Sequence, residues 1–279
     1  KVADTVTGAT TGLLLTGGTG GAGDISVTGT GGFVGGSGNA ASIQNNGSGK
    51  VTVDISGASS STGGHGIVVG DTAIGGDIGV TTGAVTALTN DKNSIDIRTQ
   101  SLTGNLAVVA NGGIKAGNAG IVGAILQGGA TGNVEVTANG AVDARFGVDA
   151  ENFGSGNTTV TTLGPITTTT GNGIFALATG GNTKVTAGSV TSTGNFAILV
   201  QQVAAGGAGS IEVTSNGAIS GTTGIVTQTL GGGNISVTAN GNVAGTAGDG
   251  IFARNNNAAA SAGTVSIAVG ANSIVTATG

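Results

Sequence analysis

Asn133-Val134-Glu135-Val136-Thr137-Ala138-Asn139-Gly140-Ala141-Val142, completed by Gly147-Val148-Asp149-Ala150, holds one full copy of the pattern that decides the fold. An alternating strand of the form Asn/Asp/Ser, Ile/Val, any residue, Val, Thr comes first. An Asn-Gly turn and a short second strand carrying Val142 follow. A third strand then opens on Gly-Val.

The same order returns along the chain. Its first strand recurs at Asp24-Ile25-Ser26-Val27-Thr28, Asp77-Ile78-Gly79-Val80-Thr81, Ser210-Ile211-Glu212-Val213-Thr214 and Asn234-Ile235-Ser236-Val237-Thr238. The turn recurs at Asn111-Gly112, Asn216-Gly217 and Asn240-Gly241, ahead of Ile114, Ile219 and Val243. The third strand recurs at Gly66-Ile67, Gly120-Ile121, Gly173-Ile174, Ala197-Ile198, Gly224-Ile225 and Gly250-Ile251, with Ser94-Ile95-Asp96-Ile97 in the interval between Gly66 and Gly120. Copies are about 24 to 28 residues apart, a period typical of stacked repeats.

An Asn-Gly between alternating strands also suits a hairpin, and an array of hairpins would make a β-sandwich. Hairpins do not require equivalent residues to return at a fixed period, whereas a coil stacked on its predecessor places like on like. The reading is therefore an all-β fold: a right-handed parallel β-helix (β-solenoid) of about ten coils of roughly 26 residues, with three strands per coil. A left-handed hexapeptide helix would close in about 18 residues, so the longer coil favours the right hand. Residues 1–279 form a single β-solenoid repeat domain, expected to be a segment of a longer surface protein. Asn111, Asn139, Asn216 and Asn240 are expected to form a structural turn ladder. Gly and Asn at the corners are expected in the left-handed backbone region, where a Cβ is costly.

Composition agrees with this pattern. Sixty of 279 residues are Gly and one is Pro, with no Cys, Met, Trp or Tyr. There is no Gly-X-Y period, and 38% hydrophobic residues beside only 8% charged ones argue against disorder. Val, Ile and Thr favour pleated strands, and Gly, Asn and Thr disfavour helix. Eight Lys and Arg in a chain of net charge −5 form no basic stripe, so nucleic acid is not an expected partner. No apolar run reaches the ~18 residues of a membrane-spanning helix, so no membrane insertion of this segment is expected.

Period-two alternation assigns the faces. The first strand presents Ser26, Glu135, Thr159, Lys184, Glu212 and Ser236 outward, beside a rank of Thr. Charged members in that column break the flat Thr surface that ice binding would need. In the third strand the fourth position is mostly polar, but the second reads Val68, Asp96, Val122, Asp149, Phe175, Leu199, Val226 and Phe252. Val68, Val122, Phe175, Leu199, Val226 and Phe252 form a candidate interaction stripe, since contiguous exposed apolar surface marks interaction sites. A covering loop would turn the same line into packing.

Catalytic chemistry is sparse. β-Helix polysaccharide lyases and hydrolases need converging acids in a groove. The best cluster, Asp149 and Glu151 with Arg145 near, reads as a solvated surface ion pair. His65 is the single histidine and sits among glycines, which places it at an exposed corner. Gly20-Gly21-Ala22-Gly23-Asp24-Ile25 is one residue short of a calcium-binding nonapeptide and does not repeat every nine. No catalytic residue, no metal ligand and no cofactor is expected; the chain reads as no enzyme.

At the corners and third strands, Asn172-Gly173-Ile174-Phe175-Ala176 and Asp249-Gly250-Ile251-Phe252-Ala253, the sequence resembles bacterial autotransporter passenger domains and, more distantly, filamentous-haemagglutinin-like exoproteins. The resemblance runs from about Gly12 to Gly279. It implies an extracellular or outer-membrane location in a Gram-negative bacterium, export through a C-terminal β-barrel, and use as an adhesin stalk or aggregation surface. Host or bacterial surface components, or further copies of the chain, are the partners it implies. It carries over no catalytic residue. The alternatives are a module that polymerises end to end into an extracellular filament and, second, a polysaccharide-active enzyme.

Overall fold

The computed structural model describes residues 1–71, 75–205, 207–257 and 263–278. Among them are 31 strands and no helix. Each coil contributes one strand to each of three sheets, and every pairing is parallel, between a strand and its equivalent in the next coil. The first sheet runs from Ile25–Gly29 to Val265–Val269, the second from Val6–Gly8 to Val275–Ala277, and the third from Leu13–Thr16 to Ile251–Asn255. Counted by the third sheet, whose ten strands define coils 1 to 10, the protein is a parallel β-solenoid of about ten turns. At about 4.8 Å between paired strands the rod is about 48 Å long.

Alternation places the core. Val134, Val136 and Ala138 lie over Leu106, Val108 and Ala110, and all six are buried. The third sheet adds an isoleucine column through Ile67, Ile95 and Ile121 that continues as Val148, Ile174, Ile198 and Ile225. Where the chain leaves the third sheet, buried amides turn the corner. Asn45 accepts from the Gly47 N–H (3.0 Å) and donates to the Gly49 carbonyl (2.7 Å); Asn152 does the same with Gly154 and Gly132, at 2.9 Å each.

The corner glycines differ from the expectation. Among the described residues, only Asp91, Gly20, Gly29, Gly75 and Gly129 have positive φ. The glycines that precede the first sheet are required instead by crowding between coils. A Cβ on Gly132 would overlap the carbonyl oxygen of Gly104, one on Gly156 that of Gly132, and one on Gly233 that of Gly209. The Asn-Gly turns likewise hold no residue with positive φ, and Gly140 and Gly241 are pressed against Gly112 and Gly217.

Next to the glycine column stands a ladder of side-chain acceptors. The backbone N–H of Asn105 donates to Asp77 Oδ1, that of Asn133 to Asn105, of Asn157 to Asn133, of Asn182 to Asn157, and of Ser210 to Asn182 (2.8–3.0 Å). It continues through Ser210 Oγ to Asn234 and from Asn234 to Thr264, in steps of 24 to 30 residues. Asp24, from the calcium-like segment, begins it by accepting from Lys50, which has no acceptor of its own to pass on. The Asn-Gly turns form two separate pairs: Asn139 donates to Asn111 (2.8 Å) and Asn240 to Asn216 (3.1 Å). Leu163 and Gly188 take the equivalent places between them.

Candidate functional site on the outer face of the third sheet

Residues at the second, fourth and sixth places of each third-sheet segment point away from the core, in three columns along the rod. The second column runs in register through Leu14, Ser42, Val68, Asp96, Val122, Asp149, Phe175, Leu199, Val226 and Phe252. The candidate stripe, from Val68 to Phe252, is therefore one line interrupted by Asp96 and Asp149. It is less exposed than expected. Val122 and Val226 are only 3% and 4% accessible, and Val68, Phe175, Leu199 and Phe252 are half-buried. The reason is lateral packing: in a column spaced at about 4.8 Å, a short Val is shielded by the longer chains on both sides.

The sixth column lies just past the strand ends and was not anticipated. Leu126, Phe153, Val203 and Leu230 are 37–43% exposed, and Thr179 takes the place between Phe153 and Val203. Its signal in the sequence was the same alternation carried two residues farther. Between the two apolar columns the fourth holds Ala124, Glu151, Leu177, Gln201, Gln228 and Arg254 in successive coils.

The charged part of this face differs from the expected surface pair. Arg145 is turned toward Asp91 (3.4 Å) and Thr170 (3.4 Å). The cation facing Asp149 and Glu151 is Arg98, two coils earlier, reaching across Val122 and Ala124. Ala124 is fully buried between these longer neighbours. Asp96 is held on both oxygens, by Arg98 Nε at 2.7 Å and by Asn93 Nδ2 at 2.9 Å. Its hydrogen bond to Arg98 raises the guanidinium pKa further, against an opposing effect of burial.

Asp149 is half-buried, and its Oδ1 is buried with no hydrogen-bond donor among the described residues. Burial first, and repulsion from Glu151 second, push its carboxyl up to about 7. Burial also raises Glu151, against the attraction of Arg98. Together with Asn93, Asn118, Val122 and Phe146, Arg98 and Asp149 line a depression of about 280 Å³. Chemically, such a depression can hold or release a proton near neutrality and can offer an acceptor to a hydroxyl or amine.

His65 lies beside this depression, half-buried rather than at an open corner. It is a rung in a second acceptor ladder. The His65 N–H donates to Asn39 Oδ1 (2.9 Å), His65 Nδ1 accepts from the Asn93 N–H (3.0 Å), and Asn93 Oδ1 accepts from the Ala119 N–H (3.1 Å). Nδ1 must therefore be unprotonated. Desolvation lowers the imidazole pKa, with Asp96 opposing and Lys92 and Arg98 assisting.

On the first sheet, Lys184 bridges to Glu212 in the next coil at 2.9 Å, and with Asn157, Asn182 and Ser210 they border a polar depression of about 300 Å³. Among the described residues no three His, Cys, Asp or Glu side chains converge as metal ligands. These features define a repeat protein of the parallel β-solenoid class. Comparison with family models, curated proteins and solved structures returns no significant match.

Proposed function

We propose that the chain is a non-enzymatic scaffold of the cell surface or extracellular space, acting in adhesion or self-association. The observation that carries this reading is the outer face of the third sheet. From coil 5 to coil 10 it sets the half-buried Phe175, Leu199 and Phe252 in one column and the exposed Leu126, Phe153, Val203 and Leu230 in another. Two apolar columns flanking a polar one form a patch of the kind that binds macromolecules. Location at the outer membrane or beyond, and surface components of a host or another bacterium as partners, follow from the autotransporter resemblance at the Gly-Ile strands.

The test is adhesion of beads coated with the purified protein to cells and to one another. Replacing Phe175, Leu199 and Phe252 together with Ser is expected to cut adhesion severalfold at unchanged circular dichroism. Full adhesion by the triple variant would remove this face from the function.

A further inference from the structure

The same face carries a pattern that selects its own occupant. In coils 6 to 10 the second column is Asp149, Phe175, Leu199, Val226, Phe252, the fourth is Glu151, Leu177, Gln201, Gln228, Arg254, and the sixth is Phe153, Thr179, Val203, Leu230, Asn256. The acids stand at one end and Arg254 at the other, four coils apart. Arg254 is exposed and takes part in none of the ion pairs among the described residues.

We infer that this face is a self-complementary interface, on which a second copy of the chain packs antiparallel about a two-fold axis lying along the strand direction through coil 8. The inference rests on the self-association arm of the proposed function. Such an axis exchanges coil 6 with coil 10 and coil 7 with coil 9 while keeping each column opposite itself. Phe175 then meets Val226 of the second copy, Leu199 meets Leu199, and Val203 meets Val203. Glu151 meets Arg254 of the second copy, twice, once at each end. At the centre apolar side chains lie on apolar ones, and at the ends Asp149 faces Phe252 and Phe153 faces Asn256 of the second copy.

Charge decides the orientation. A parallel arrangement, about an axis along the rod, would set Glu151 against Glu151 and Arg254 against Arg254, and facing like charges oppose association. The contact is isologous, so it closes at two copies and does not grow into a fibre. Five coils spaced at about 4.8 Å and a strip about 20 Å wide bury about 950 Å² over both copies, the range of weak, reversible complexes. Micromolar affinity is the expected strength.

Sedimentation velocity of the whole chain across about 1 to 300 µM, a span set for micromolar association, is expected to show a monomer–dimer equilibrium. Glu151→Arg or Arg254→Glu alone is expected to weaken it by about tenfold, and the two together to restore it. A cysteine-free chain permits a second readout. Leu199→Cys is expected to give a disulfide-linked dimer on mild oxidation, whereas Lys115→Cys, exposed on the second sheet, is not. A monomer at every concentration, single charge variants that dimerise like the parent, or equal cross-linking at both cysteines would each overturn the inference. Bead adhesion separates the two claims: if it falls in the triple Ser variant while the chain stays monomeric, the adhesive face stands and the two-fold does not.

Discussion

At the scale of single residues, His65 and Asp149 make opposite demands on pH. His65 replaces an asparagine as acceptor for the Asn93 N–H, and its lowered pKa means the folded protein binds fewer protons than the unfolded chain below about 6.5. Its contribution is complete above that pH and is lost as pH falls toward the folded value. His65→Asn is expected to keep the rung, as Asn39 and Asn93 do, and to remove this loss; His65→Ala leaves a donor unmatched and is expected to cost about 1–3 kcal/mol. Asp149 behaves in reverse. Its carboxyl titrates near 7 rather than 3.8, so the folded protein holds the extra proton and stability declines as pH rises between those values. Asp149→Asn is expected to be more stable than the parent at pH 8 by roughly 2–4 kcal/mol, with little difference at pH 4. Thermal melts of the three variants across pH 4–8 check both signs.

At the scale of the element, the sequence shows strands and their alternation more readily than contacts between coils. Ile/Val-x-Val-Thr states which side chains enter the core, because period two needs only neighbouring residues. The asparagine that opens the first strand is visible at Asn133 and Asn234, but its role lies between residues some 24 to 30 positions apart. Asn133 was therefore legible as the start of a strand and not as a rung. About twice that distance, two coils, separated Arg98 from Glu151, while Arg145, nearer in the chain, points elsewhere. His65 looked isolated because the asparagines that flank it in space are a coil away. Steric demand at the corner gives a paired test. Gly132→Ala drives a methyl into the Gly104 carbonyl and is expected to cost about 3 kcal/mol. Gly79→Ala, on the outer side of a strand with nothing near its Cβ, is expected to add about 0.5–1 kcal/mol. Chemical denaturation of both variants reads the difference.

At the scale of the whole molecule, each coil touches chiefly the one before and the one after, so stability is close to a sum of neighbour terms. Removing residues 134–157 joins Asn133 to Thr158 and preserves both ladder and strand register, since Asn157 stands one full coil after Asn133. This shortened chain is expected to keep its β circular dichroism and a cooperative melt. Removing 134–145 alone breaks the coil and is expected to abolish the melt.

The acceptor ladders all point one way: the N–H of each coil lands on a side chain of the coil before it. Winding thus has a grain. A chain that emerges from its amino end finds every hook already hung for the next loop to catch, while one that begins at the far end must wait for its hooks to arrive.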